Sequence, residues 1–372
     1  MDPRLWIALN SLNSVGNVLF KRLILRFGSA GAVFSAQAHE MLRVDGMRPP
    51  AAKAIKEFSD WGSAEEELRR ARDYGAEVVT LNDPRYPANL KETHDPPPYL
   101  YVKGELIAGD RVSVAIVGSR MASQLGKQIT AKFAGELAAN GITIVSGGAR
   151  GIDTESHKGA LSAGGRTIVV LGCGIDIAYP PENKGLFEQV AGKGAVVSEY
   201  PMGTQPLPGN FPARNRIISG IALGTLVVEA AEDSGSLITA NCSVEQGREV
   251  YAVPGSVASQ TSKGTNSLIK KGAKLVQVPH DILEDLFPYM KGYMKELALG
   301  DSEGGRGPEA PKIKLEPEEQ KLYDIITVEP VHVDDLAEKS GVAVSRALSL
   351  LLGLELKGIV RQVPGMRYVR AL

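Results

Sequence analysis

The chain has 372 residues, 43% of them hydrophobic, with 41 glycines and a formal net charge of −1. That length suits two or three domains of a soluble α/β protein. The near-neutral balance excludes a molecule that attracts polyanions through its whole field, so any nucleic-acid site has to be a local patch.

The two cysteines, Cys173 and Cys242, stand singly in apolar or helical contexts without metal-ligand spacing, and read as small buried hydrophobes. No secretory h-region opens MDPRLWIALN and no apolar run reaches the length of a bilayer span, so a cytoplasmic protein without membrane contact is expected. Residues 1–75 carry apolar residues at three- and four-residue spacing, punctuated by Gly16, Gly28, Gly46 and Pro49-Pro50, which predicts a small helical domain. Its turns NSVG and VDGMRPP look like helix-hairpin-helix elements, which offer backbone N–H groups to DNA phosphates. Its 11 Lys/Arg against 9 Asp/Glu give only +2, and an interaction or regulatory bundle is the simpler expectation.

Residues 76–111 hold one short strand pattern in EVVTLNDPRYPANL and a second strand, Tyr99 to Val102, behind prolines that forbid a helix. They read as an extra layer leading into the main sheet. From 112 to 290 strand and helix signals alternate as in βαβ units. The strands VSVAIVGSR, ITIVSGGARGID, TIVVLGCG, VVSEYPMG, TLVVEAAEDSGSLITA and EVYAVPG are β-branched runs that stop in small, glycine-rich sequence. Helices are expected near Ser123–Asn140, Thr154–Ala163, Asn183–Gly192, Ala213–Leu223, Leu237–Gly247 and Ser267–Gly272.

After Met290 the sequence is dense in glycine, proline and charge, and 291–314 reads as a linker. The tail, 315–372, reads as three helices and a two-strand ribbon turning at Pro364-Gly365, the order of a winged helix. Its 7 Lys/Arg and 9 Asp/Glu give −2, and the would-be recognition helix, Ser345 to Leu356, offers only Arg346 among leucines. A groove-reading helix is richer in donors. A protein-interaction role, or DNA contact through the Arg361, Arg367 and Arg370 wing alone, is the better expectation.

The strand ends would gather at the carboxyl edge of the sheet, where α/β folds bind ligands. Gly147, Gly148 and Gly151 let the backbone approach a ligand with its N–H groups outward, and Asp153 can cap the following helix; such a helix N-terminus is an anion site. A Walker loop fails, because Gly126-Lys127 has Met121 in place of the first glycine and Gln128 in place of the hydroxyl. A dinucleotide fingerprint fails too, because Gly172-Cys173-Gly174 is followed by Ile177 at the third glycine position. What remains is a phosphate cradle supplemented by Arg120, Arg150, Arg214 and Arg216, whose planar forks suit phosphate. The alternative is that these arginines pair with Glu199, Glu229 or Asp153; four at one edge favour a ligand. Asp153 and His157, four apart on one helix face, read as a structural cap with a satisfied histidine, since no third catalytic group accompanies them. Tyr179 reads as pocket-wall packing and Lys184 as a backbone contact. Phe211, ahead of Arg214, Asn215 and Arg216, can be a hydrophobic staple or a platform for a splayed nucleotide.

Taken together, GSR, SGGARGID, GCGIDIAYPPEN, FPARNRIISG, VVEAAEDSGSLITA, and YAVPG followed by KGTNSLIKKGA, resemble the bacterial DNA-processing family DprA, also called Smf, over nearly the whole chain. The resemblance implies an extended Rossmann-like parallel sheet (residues 76–290) between an N-terminal SAM- or helix-hairpin-helix-like domain and a C-terminal winged helix. It implies a dimer that binds single-stranded DNA, protects incoming strands in natural transformation and loads the RecA recombinase, with single-stranded-DNA-binding protein as a further partner. The DNA contacts expected on that basis are Gly118, Ser119 and Arg120; Ser146, Gly147, Gly148, Arg150 and Gly151; Lys184; Phe211, Arg214, Asn215 and Arg216; and Ser234, Gly235, Ser236 and Asn266. No catalytic residue, metal or cofactor is expected. The alternative class, a nucleotide or phosphoribose hydrolase of the lysine-decarboxylase-like group, needs PGGxGTxxE where this chain has EAAEDSGSLITA.

Overall fold

In the computed structural model, six helices open the chain: α1 (Pro3–Asn10), α2 (Asn17–Phe27), α3 (Ala30–Ser35), α4 (Ala38–Met41), α5 (Pro49–Lys56) and α6 (Trp61–Asp73). The structure describes residues 2–300, 315, 317–327, 330–356, 359–363 and 365–370, the side chains at 291–300, 345, 349, 352 and 356 excepted. The predicted three- and four-residue spacing is realised in one buried stripe, which includes Trp6, Phe20, Leu23, Met41 and Ile55. Helix starts are marked by short polar side chains: Asp2 accepts from Arg4 N–H, Ser29 from Ala32 N–H and Asp60 from Ser63 N–H.

The sheet then builds through β1 (Glu77–Thr80), α7 (Ala88–Glu92), β2 (Tyr99–Gly104), β3 (Ser113–Val117), α8 (Gln124–Ala139), β4 (Thr143–Ser146), α9 (Ile152–Ser162), β5 (Thr167–Leu171), α10 (Lys184–Ala191) and β6 (Ala195–Ser198). It continues through α11 (Asn210–Ile221), β7 (Gly224–Val227), α12 (Gly235–Glu245), β8 (Glu249–Ala252), α13 (Lys263–Lys270), β9 (Lys274–Leu275) and α14 (His280–Gly300). Strand order is β1-β2-β6-β5-β4-β3-β7-β8-β9. From β6 to β9 every pairing is parallel, while β1 and β2 join antiparallel at one edge as the extra layer. Both faces are covered: Val114, Ile116, Ile144 and Leu226 pack under α8 and α14, while Ala115, Val117, Val145 and Val169 face the cluster that includes α1–α6. Continuous apolar strands are the sequence mark of such a sheet. Four buried hydroxyls on it bond to neighbouring backbone: Ser113 Oγ to Ile221 O, Ser146 Oγ to Ile116 O, Thr167 Oγ1 to Ile144 O and Ser198 Oγ to Cys173 O.

Residues 1–294 form one compact unit and 295–372 a second. Helix α14 runs to Gly300, with Pro288 inside it, so residues 291–300 of the stretch read as linker are helical; 301–314 lie outside the described residues. The composition reading overweighted the glycines: Gly292 sits among Lys, Met, Glu, Leu and Ala, all good helix formers.

The second unit contains α15 (Pro317–Ile325), β10 (Val331–His332), α16 (Val333–Ser340), α17 (Val344–Leu356), β11 (Val360–Val363) and β12 (Arg367–Arg370) around a core of Leu322, Leu336, Leu351 and Leu354. Its ribbon is three-stranded rather than two-stranded, β10 adding to β12 in the order β10-β12-β11. The ribbon turn passes through Gly365 and Met366 at positive φ; Pro364 lies outside the described residues. Arg346 is spent on Glu318, and Arg370 donates to Tyr323 O and lies over the Tyr323 ring, which leaves Arg361 and Arg367 as the wing's exposed cations.

Candidate nucleic-acid interface

The glycine turn after β4 is organised from its carbonyls. Gly147 O accepts from Arg214 Nη1 at 2.8 Å, Gly148 O from Asn183 Nδ2 at 2.9 Å, and Ala149 O from Thr154 Oγ1 at 2.7 Å. Three consecutive carbonyls are thereby drawn inward. The N–H groups of Gly148, Arg150 and Gly151 have no bond partner among the described residues. A concavity of outward N–H groups ahead of a helix N-terminus is an anion nest. Glycine is obligatory at two positions: Gly148 and Gly151 have φ of +74° and +76°, and a Cβ at Gly151 would collide with Ser119 O. Asp153 does not cap α9 from outside. It stands in the first turn and accepts from Ala149 N–H at 3.2 Å, bracing the turn from beneath; burial raises its pKa against the pull of Arg214.

Arg120 is exposed in the loop after β3, without an ion-pair partner among the described residues, its guanidinium 5.6 Å from the Phe211 ring centre. With Gly147, Ala149, Arg150, Tyr179, Pro180, Phe211 and Arg214 it lines an open pocket of about 30 Å³. That holds a water or two and not a nucleobase, so a strand would lie across it. Gly118 and Ser119 shape the loop: Ser119 N–H donates to Glu229 O, and Ser119 O accepts from Ile152 N–H.

The expected contacts divide. Arg120, Arg150, Gly147, Gly148, Gly151 and Phe211 come together at one edge, with Gly118 and Ser119 behind Arg120. Arg150 is paired there with Glu182. Lys184 is exposed but lines a different small pocket, with Tyr74, Lys103 and Glu188. The hydroxyl of Ser146 is buried against Ile116 O. Arg214 is only 4% exposed, its guanidinium bonded to Gly147 O and Val170 O. Burial lowers its pKa, yet a guanidinium stays protonated. It is a strut beneath the turn. Asn215 accepts from Arg214 Nε and donates to Gly235 O. Arg216 turns away to Glu199 and Asp95, the ion-pair alternative. Ser234 caps α12 and its hydroxyl meets that of Ser236 at 2.7 Å. Asn266 exchanges two hydrogen bonds with the Gly255 backbone.

His157 is only half satisfied. It is fully buried, with Nδ1 2.7 Å from Thr167 Oγ1, while Nε2 has no partner among the described residues. The Thr167 hydroxyl donates to Ile144 O, so Nδ1 carries the proton and Nε2 presents a lone pair. Burial, aided by the Arg214 charge, holds the pKa down at about 3, so the ring is neutral and too weakly basic to serve as a general base.

Sequence reasoning missed Asn183, Thr154 and Glu182, although all three lie inside the motifs that flank the turn. It also missed the part played by Glu229. Strand order reverses between β3 and β7, the switch point where this fold class takes nucleotides. Here the Glu229 carboxylate takes the N-terminus of α8. It accepts from Ser123 N–H at 2.9 Å and Ser123 Oγ at 2.5 Å, and Gly126 leaves it room. The anion place that a mononucleotide would use is held by the chain itself. Among the described residues no three His, Cys, Asp or Glu side chains converge as for a metal, and no helix is long and apolar enough to cross a membrane.

Residues 77–287 match the family model of DNA recombination-mediator protein A, and residues 306–366 match that of the DprA winged helix domain. The chain is 38% identical to Protein Smf of Escherichia coli over 100% of this chain and 96% of that protein. It is 36% identical to Protein Smf of Synechocystis over 98% of both. Among solved structures it resembles DNA processing protein A of Streptococcus pneumoniae, with 36% identity and a TM-score of 0.64 over 74% of this chain and 97% of that one. It also resembles the Helicobacter pylori protein described for its single-stranded DNA binding mode, with 31% identity and a TM-score of 0.52 over 58% and 98%. Motif order, sheet topology, winged helix and full-length relatives agree: the chain belongs to the DNA recombination-mediator protein A family, that of the DprA and Smf DNA-processing proteins.

Proposed function

We propose that this protein binds single-stranded DNA by its phosphates along the edge formed by Gly147–Gly151 and Arg120, without catalysis, and passes the strand to the RecA recombinase in transformation or recombination. The observation that carries the reading is the turn with three carbonyls pinned inward and its N–H groups outward beside two exposed arginines. Such a cradle reads phosphate and not base edges, so binding is indifferent to sequence. The Helicobacter relative's described mode of binding supports the choice of ligand. The hydrolase reading is disfavoured by Glu229, whose carboxylate stands in the crevice a nucleotide would need.

One cradle holding a few phosphates binds weakly at physiological salt. Two on a symmetric dimer convert the second contact into an intramolecular one, worth about a hundredfold in avidity. The test is binding of single strands across a length series, beside a duplex and beside light scattering. Steep gain once both sites are spanned, in a dimer, supports the reading; equal affinity for duplex, or a monomer whose affinity grows only with length, overturns it. Strand exchange by RecA on DNA coated with single-stranded-DNA-binding protein, timed with and without this protein, tests delivery.

A further inference from the structure

The segment between β6 and α11, residues 199–209, has no regular structure and leads directly into Phe211 and Arg214. Two of its backbone N–H groups are held by carboxylates from outside it. Met202 N–H donates to Glu67 Oε1 at 2.7 Å, and Gly203 N–H donates to Asp176 Oδ1 at 2.8 Å. Asp176 lies in the loop after β5 that carries Tyr179 and Pro180 to the same edge, and Gly174 N–H of that loop donates to Thr204 O, so the two loops are joined to each other. Glu67 and Arg70, one turn apart, come from α6 in the N-terminal helices. The Glu67 side chain is 14% exposed, and the oxygen that holds Met202 also accepts from the hydroxyl of buried Tyr101 on β2 at 2.7 Å. Arg70 stands 3.8 Å from Glu67 and 3.9 Å from Asp176, and a Cβ at Gly203, where φ is +78°, would come within 2.9 Å of it.

None of the residues lining the pocket belongs to α6, yet one α6 carboxylate grips both the loop that enters α11 and the edge of the sheet beside it. We infer that Glu67 is a positioning residue for the strand-binding edge, aided by Arg70: the N-terminal helical domain fixes the two loops from behind, so that the edge stands in its binding arrangement before a strand arrives. The inference rests on the strand-binding reading above and adds the source of the edge's order. A hydrogen bond to a carboxylate is about twice as strong as a neutral one, which suits it to holding one loop arrangement against others. Where the competent arrangement is populated only in part, affinity falls by that fraction while the contacts made in the complex stay the same. Loss of Glu67 should therefore weaken binding without removing a phosphate contact.

The experiment measures oligothymidylate binding by fluorescence anisotropy over a salt series, with thermal unfolding and hydrogen exchange of residues 199–209, for the full chain and for Glu67→Ala, Glu67→Gln and Arg70→Met. Glu67→Ala should bind about 2- to 30-fold more weakly, with the salt slope of wild type, and its 199–209 amides should exchange faster until the strand is added. Glu67→Gln keeps an oxygen acceptor for both donors and should bind like wild type. Arg70→Met, at an exposed position that spares the fold, should shift affinity and exchange in the same direction by a smaller factor, and it carries the test if Glu67→Ala does not fold. A merely structural Glu67 predicts a lower melting temperature with unchanged affinity of the folded protein. That result overturns the inference, as does Glu67→Gln binding as weakly as Glu67→Ala, Arg70→Met matching wild type in both readouts, or a salt slope lowered by about 0.7, the mark of a lost phosphate contact. In each of those cases the strand-binding reading stands; if wild type itself does not bind oligothymidylate, both fall.

Discussion

Arg120 stands two residues after Gly118 and Arg214 five after Gly209, and from sequence both read as phosphate ligands; the structure separates them. Replacing Arg214 by alanine removes two charge-assisted hydrogen bonds, to Gly147 O and Val170 O, each worth roughly 1.5–3 kcal/mol, in a buried place. A net loss of about 3–5 kcal/mol follows, in the range for breaking a buried charged network. Unfolding entropy of about 2.1 cal/mol/K per residue over a 294-residue unit is about 0.6 kcal/mol/K, so the melting temperature should fall by about 5–8 °C. Arg120→Ala removes an exposed side chain and should change stability by less than about 0.5 kcal/mol. It should instead weaken single-strand binding and lower the slope of log affinity against log salt by about 0.7. Calorimetry and a salt titration on both variants decide it. An Arg214→Ala protein that melts like wild type but has the reduced salt slope would refute the strut.

Glu182→Gln should tighten single-strand binding by about two- to fivefold, because it frees Arg150 from an exposed pair that competes with phosphate; unchanged affinity in a filter-binding assay would show Arg150 idle. His157 has a folded pKa depressed from 6.5 to about 3, so the unfolded state binds more protons between those values and stability is lost as pH falls through them, by about 1.4 kcal/mol per pH unit. The raised carboxylates Asp153 and Glu199 work in the opposite sense, so the check is a difference: in denaturant titrations the gap between wild type and His157→Gln should narrow from pH 6 to 4, and a constant gap contradicts it. A chain ending at Gly300 should fold and still bind single strands, since the turn, Arg120 and Tyr179 lie within the first compact unit; loss of binding in a soluble truncation would bring the winged helix into the site.

Much of this architecture was legible because it depends on local pattern. Apolar runs ending in Gly147-Gly148 or Gly172-Cys173-Gly174 mark parallel strands at any position in the sheet, and the six helices expected between them are all present within a few residues of their expected ends. Side-chain direction was not legible. Arg214 and Arg216 are two residues apart on one helix, and which carbonyl or carboxylate each meets depends on Val170, Glu199 and Asp95, all distant in sequence. Glu229 could be suspected as a partner of some arginine but not of Ser123, because a helix N-terminus serves an internal anion as readily as a ligand. The carbonyls of the turn were invisible for a related reason: a glycine-rich sequence permits an anion nest, and only Arg214, Asn183 and Thr154 decide that its oxygens point inward.

The carboxylate of Glu229 also bears on energetics at the scale of the cell. Where a side-chain carboxylate holds the helix N-terminus at the switch point, a nucleotide phosphate would have to displace it to bind there. If the protein binds single strands as proposed, its grip is then set by salt and by the concentration of competitors, and release becomes a contest for DNA. On the proposed reading, the strand passes to whatever holds it more tightly, in a downhill exchange that this site does not itself drive.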